Sequence, residues 1–262
     1  MIKITALTTA VVLAATPAAL ADDAYTLALP IKCEPGVTCF VQNYVDHDSS
    51  EKVRDFACGR RSYNGHDGTD IRIPDLEIQK KGVEVLAAAP GRVLRVRDGI
   101  DDVSVRETGR AAVAGKECGN GAVIAHRDGW STQYCHMAKG SLRVKAGDDV
   151  TAGQPLGLVG LSGDTEFPHI HLTVRHNGTM VDPFAADAAS EACNGGHALW
   201  APAQAAALAY RGSEILNAGF AGLPVTMELI ESGAVKAPSR RQPKHWWPMC
   251  APSACRPKTC RS

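Results

Sequence analysis

Between Val83 and Leu172 the apolar residues come in short runs that glycine keeps interrupting. The stretch "VEVLAAAPGRVLRVRDG" predicts two strands joined at Pro90-Gly91. "GNGAVIAHRDGWSTQYCHM" predicts a hairpin turning at Asp128-Gly129. "VKAGDDVTAGQPLGLVGLSG" places glycine at turn positions between further short strands. Upstream, the turn-rich "CGRRSYNGHDGTDIRI" enters a strand near Thr69 to Ile73. Many short strands at regular spacing predict an all-β region over Val83 to Leu172, an antiparallel sandwich or partly rolled sheet. One of these runs, "FPHIHLTVR", puts His169 and His171 two positions apart. Side chains i and i+2 of a strand point the same way, so these imidazoles share a face.

The flanks read differently. After Asp182 to Phe184, "AADAASEAC" and "APAQAAALAYRG" favour helix or loop, and "SEILNAGFAGLPVTMELIES" reads as strands of a small appendage. The N-terminus has Lys3, an apolar stretch and small residues ending at Ala21, the pattern of a secretory signal peptide. Its apolar core is short and rich in Ala and Thr for a membrane anchor, so no stable membrane insertion is expected after cleavage. Residues 236–262 carry seven Lys/Arg, no Asp or Glu, five Pro and three Cys, without periodicity, and read as a disordered or aberrant end. The expected organisation is a signal peptide over 1–21, a disulfide-linked segment over 22–58, a main domain over 59–185, an appendage over 186–235 and the tail over 236–262.

Charge changes this picture in one respect. The formal net charge of zero hides a division: without Lys3 and the basic tail, 20 basic residues face 28 acidic ones, leaving the body at −8. Nine cysteines suit an oxidising compartment, as the leader does. Without the tail, six remain, enough for three disulfides.

Five residues carry candidate chemistry. His66 and Asp70 lie four apart in "GHDGTD", His136 ends the second hairpin strand, and His169 and His171 form "PHIH". A catalytic zinc takes three nitrogen or oxygen protein ligands and keeps one position open. Two imidazoles and a carboxylate meet that need, which leaves two imidazoles for other work. Bound zinc lowers the pKa of water to about 7, a nearby histidine exchanges the proton, and a second hydrogen-bonds a developing oxyanion. The set therefore matches metal-assisted hydrolysis, while the spacing leaves open which histidine does what. His47, His176, His197 and His245 read as ordinary polar residues.

His-x-x-x-Asp, then Tyr-x-His, then His-x-His, in that order, resembles the lysostaphin/LytM-type zinc endopeptidases, which cleave peptide bonds of bacterial peptidoglycan. The resemblance covers roughly residues 60–184, including "YNGHDGTD", "GVEVLAAAPGRV" (similar to the family's following hairpin) and "GDTEFPHIHLTVRHNGTMVDP". It implies His66, Asp70 and His171 as zinc ligands and His136 and His169 as catalytic histidines. It also implies a mainly β fold: an antiparallel β-sheet groove on lipoyl-like hairpins, the duplicated hybrid motif. The short helical or irregular C-terminal appendage stands outside it. His126 is set aside as a supporting residue.

The function expected is a secreted or periplasmic zinc metalloendopeptidase whose partners are peptidoglycan stem peptides, with no nucleic acid. Direct cross-links containing a D-amino acid are the favoured substrate. Two other readings compete. A non-catalytic wall-binding module that regulates other hydrolases predicts no zinc, and the intact set of five speaks against it. A non-haem iron oxygenase also uses two histidines and a carboxylate, but usually with its ligand pair one residue apart, and an oxidising compartment suits Fe(II) poorly.

Six cysteines allow fifteen connectivities. The expected one joins Cys33 to Cys39 across Pro35-Gly36, Cys118 to Cys135 across the hairpin, and Cys58 to Cys193. Alternation along the strand places Cys135 on the face opposite His136, away from any metal.

Overall fold

The computed structural model describes residues 24–189, 192–216 and 224–234. The expected signal peptide and basic tail, and part of the expected appendage strands (217–223), lie outside the described residues.

Ten strands carry the fold, mostly in antiparallel pairs: β1 (Phe40–Asn43), β2 (Thr69–Arg72), β3 (Glu84–Leu86), β4 (Gly91–Arg97), β5 (Asn120–Ala125), β6 (Trp130–Met137), β7 (Asp149–Val150), β8 (Pro155–Leu158), β9 (His169–His176) and β10 (Thr179–Val181). Eight form one sheet in the order β1-β2-β9-β6-β5-β4-β7, with β10 also on β9. β3 and β8 form a separate two-stranded ribbon. The architecture is mainly antiparallel β, as the glycine-punctuated runs predict.

One face of the sheet is apolar. Ile71, Ile124, Tyr134, Ile170 and Leu172 are buried there, in one cluster with Val85 and Leu156 of the ribbon. Leu27, Ile31 and Tyr44 from the N-terminal segment and Trp200 and Leu208 from beyond the sheet join the same cluster. The buried Tyr134 hydroxyl accepts from Ala88 N at 2.8 Å and lies 3.1 Å from the Thr132 hydroxyl. His126 donates from Nδ1 to Pro90 O at 2.8 Å and meets the Thr132 hydroxyl through Nε2. Its work is support of this chain of hydrogen bonds, as expected.

Two expectations for the central region need correction. The strands either side of Pro90-Gly91 do not pair as a hairpin: β3 pairs with β8, while β4 pairs with β5 and β7. Ala87, Ala88 and Ala89 are small and buried, and they carry the chain from ribbon to sheet. The all-β region also holds a short helix, α2 (Val105–Thr108), capped by the Ser104 side chain, and a 3-10 turn over Arg110–Val113. A further helix, α1 (Leu76–Lys81), follows β2 and is capped by Asp75.

In the C-terminal part, α3 (Pro202–Ala207) fits the alanine-rich composition. "MELIE" within the expected appendage strands is instead a helix, α4 (Met227–Glu231), whose first turn Thr226 caps by accepting from Leu229 N. Its Glu231 is buried against Arg72 and Arg106, which ties the helix to the sheet. A cap and two cations outweigh the weak apolar alternation there.

The three disulfides are Cys33–Cys39, Cys58–Cys193 and Cys118–Cys135, the expected pairing.

Candidate metal centre and its cleft

Two adjacent strands bring the centre together. In the β2–β9 register, Asp70 stands opposite His171 and Arg72 opposite His169. Asp70, His169 and His171 therefore project from the sheet face opposite the apolar core. His66 comes from the loop before β2, over Tyr44. Gly68 permits this packing: a Cβ there would lie 2.5 Å from His171 Nε2 and 2.7 Å from Leu172 O.

His136 arrives by a different route. Ala122 pairs with Tyr134, but Asn120 pairs with Met137, so β6 holds one residue more than β5 over this interval. The bulge places His136 at φ 62°, in the left-handed region where a side chain other than glycine's is uncommon. The turn re-aims its imidazole. Cys135 stands opposite His171 in the register, and Cys135 and His136 both line the same hollow. Strict alternation had set Cys135 and His136 on opposite faces, and the bulge overturns that expectation. The disulfide to Cys118 is what keeps the Cys135 sulfur from acting as a thiolate.

The second nitrogen of each imidazole fixes the direction of the first. His66 Nδ1 lies 2.7 Å from Tyr44 O, His136 Nδ1 2.8 Å from Ser162 O, and His169 Nδ1 2.9 Å from Phe167 O. A carbonyl oxygen only accepts, so each Nδ1 carries the hydrogen and each Nε2 keeps its lone pair. His171 is turned the other way. Its Nε2 faces the Thr173 hydroxyl at 3.0 Å and Asp67 Oδ1 at 3.2 Å, which directs Nδ1 inward.

Asp70 Oδ1 is the meeting point, 2.9 Å from His171 Nδ1, 3.2 Å from His66 Nε2 and 3.3 Å from His169 Nε2. So many buried lone pairs around one carboxylate oxygen require a positive charge among them, either a proton or a metal ion. Among the described residues, His66, Asp70 and His171 form the one group whose ligand atoms all lie within 4.8 Å of one another. The donor set of two imidazoles and a carboxylate fits a metal of the zinc type.

The electrostatics follow from the same contacts. Burial alone would raise Asp70, but the close approach of His169, His171 and His66 to its carboxylate holds it well below the usual carboxylate range. Burial pulls His171 down, but hydrogen bonds to Asp67 and Asp70, with their charges, outweigh it and raise it to about 9. Burial and the neighbouring His169 and His171 push His136 well below the usual histidine value, so it is neutral at pH 7.

A pH prediction arises here. Metal binds the unprotonated imidazole, so below pH 9 it must displace the His171 proton. Metal affinity is expected to climb with pH, by up to about tenfold per unit, and to level off above the value of about 9. Competition titrations with a chelator between pH 6 and 10 measure this. An affinity flat across that range would show that no proton occupies the centre.

The centre lies in a cleft. A hollow of about 330 Å³ lies on the His171 side and another of about 350 Å³ on the His169 side, and Tyr63, Arg110, His136 and Asp164 line both. The Tyr63 ring packs 4.3 Å from that of His66 at the exposed rim of the cleft. Arg110 Nη1 donates to both Asp164 carboxylate oxygens at 2.7 Å. The spacing of chemistry-bearing residues gives no signal for Arg110 or Asp164. Tyr63 stands three residues before His66 within "YNGHDGTD", a signal that was available.

Comparison with known proteins now adds a decisive observation: residues 64–183, which contain all five site residues, match the model of peptidase family M23. They form an M23 peptidase domain. This M23 domain is 31% identical over 120 residues to the cell division protein DipM of Caulobacter vibrioides, covering 45% of this chain and 15% of that protein. It is 30% identical over 122 residues to the peptidoglycan DD-endopeptidase ShyB of Vibrio cholerae, covering 47% of this chain and 23% of that protein. The chain thus spans less than a quarter of the length of either relative. Among solved structures, the catalytic domain of the prophage-encoded M23 protein EnpA from Enterococcus faecalis matches at 29% identity and a TM-score of 0.36, covering 53% of this chain and 95% of that one. A zinc-containing peptidase from Vibrio cholerae matches at 25% identity and a TM-score of 0.37, covering 56% of this chain and 40% of that one. Among the described residues, no helix is long and apolar enough to cross a membrane.

Proposed function

We propose that this chain is an exported zinc metalloendopeptidase that hydrolyses peptide cross-links of peptidoglycan. The observation that carries the reading is the convergence of imidazole lone pairs on Asp70 Oδ1 inside an M23 domain. The leader read over residues 1–21 supports export to the periplasm or beyond. The printed activity of ShyB supports the D,D-cross-link as the bond that is cut.

His66, Asp70 and His171 would hold the zinc through Nε2, a carboxylate oxygen and Nδ1. Zinc bound there would supply a Lewis acid for the scissile carbonyl and for an attacking water. The neutral His136, fixed by Ser162 O, presents Nε2 as a base that accepts a proton. His169, held by Phe167 O and the Thr165 hydroxyl, presents a second such nitrogen, and their ring centroids lie 4.7 Å apart. Once either takes a proton it becomes a donor, able to pass that proton to the leaving amine. The Tyr63 phenol stands at the edge of the cleft, where it can donate to a developing oxyanion.

The test is metal analysis together with digestion of purified peptidoglycan. About one zinc per chain and loss of cross-linked dimers are expected. Zinc-loaded protein that leaves the dimers intact would overturn the endopeptidase reading, and protein that takes up no zinc would overturn the metal assignment.

A further inference from the structure

The cleft does not end at the metal centre. Beyond β6 the open sheet face continues into a hollow of about 350 Å³ lined by Arg95, Arg97, Cys118, Gly121, Val123 and Gln133, among others. Cys118 and Gln133 also line the hollow in front of His136 and His171, so the two spaces adjoin. The charge of the lining changes along the way. No acidic residue lines the outer hollow, while Asp67, Glu117 and Asp164 line the adjoining one in front of His136 and His171. Arg97 Nε donates to Gly119 O at 2.6 Å, which orients the guanidinium. Gln133 is held at the junction, donating to the Cys118 and Cys135 sulfurs at 3.4 and 3.3 Å.

We infer that Arg95 and Arg97 form a carboxylate-binding subsite for the stem peptide, which selects strands carrying free carboxylates over amidated ones. The inference rests on the peptidoglycan reading above. The distance suits a stem peptide: from β9 to β4 is three strand spacings, about 14 Å, or roughly four residues of extended peptide. A guanidinium fork matches a carboxylate in geometry and charge. An amide at the same place would lose the charge and leave the arginines facing a weaker acceptor.

The experiment titrates two ligands into His136→Ala protein by calorimetry: a cross-linked stem-peptide dimer with free carboxylates, and the same dimer amidated. The free-acid dimer is expected to bind about fivefold more tightly, a modest factor because both arginines are solvent-exposed. Adding Arg95→Gln and Arg97→Gln should remove the difference by weakening the free-acid dimer alone, and salt should narrow it. Equal affinities for the two dimers, a preference that survives both substitutions, or no binding of either dimer would overturn the subsite. Wild-type protein that shows the preference but leaves the dimer uncut would support the subsite while overturning the proposed activity.

Discussion

Replacing Asp70 with alanine is expected to abolish metal binding and turnover together. Asp70 is 2% exposed, and its Oδ1 lies within 3.3 Å of nitrogens from His66, His169 and His171. It is the one anionic donor in the candidate metal-binding group. Without it, two neutral imidazoles remain to hold a dication in a buried place. Loss of a residue that merely supports a ligand costs 10- to 100-fold in affinity, so loss of a ligand should exceed about 100-fold. Asp70→Asn keeps the volume and an acceptor while removing the charge, and is expected to fail similarly, which separates loss of metal from loss of fold.

Zinc content and thermal unfolding with and without added zinc are the measurements. At a zinc concentration 100 times Kd, the wild type should gain about 2.7 kcal/mol of stability, and neither variant should gain any. A variant that retained one zinc per chain would remove Asp70 from the centre.

Replacing His136 with alanine is expected to separate binding from chemistry. His136 lies outside the group of three ligand atoms, and its Nδ1 is committed to Ser162 O. Zinc stoichiometry should therefore stay near one. Turnover should fall by about 10²- to 10⁴-fold, the contribution of a positioned acid or base. The comparison with His171→Ala decides the roles, because that variant removes a nitrogen 2.9 Å from Asp70 Oδ1 and should lose metal. If His136→Ala lost metal as readily, the division between holding the metal and moving the proton would be wrong. Wild-type turnover should also fall in acid, since His171 must give up its proton to hold the metal; the expected sign is loss toward low pH.

Some of this site was legible without coordinates. The i, i+2 spacing of His169 and His171 predicts a shared face, and the β2–β9 register bears it out by setting Asp70 against His171 and Arg72 against His169. The hairpin at Asp128-Gly129 is present, with Asp128 at φ 55° and Gly129 at φ 76°, because those residue types tolerate the left-handed region. The pairings of Cys33 with Cys39 and Cys118 with Cys135 follow from short separations and a hairpin, and the remaining pair from what was left.

Other features depended on contacts distant in sequence. Arg110 reaches Asp164 across 54 residues, and Glu231 reaches Arg106 across 125. No local pattern encodes such meetings. The β3–β4 connection failed as a hairpin because pairing partners are chosen by the whole sheet, and β3 found β8.

What the sequence by itself determined is the set of parts: short strands, their glycine turns, four imidazoles and a carboxylate at spacings that strand geometry can bring to one side. Alternation is a local rule, fixed by the chirality of each residue, and it holds wherever the register is regular. The tertiary structure alone decided where each lone pair points. Carbonyls of Tyr44, Ser162 and Phe167 take the Nδ1 hydrogens, and the latter two belong to loops of the fully formed fold. The extra residue in β6 exists only relative to β5, and it is this mismatch between two strands that turns His136 into the cleft.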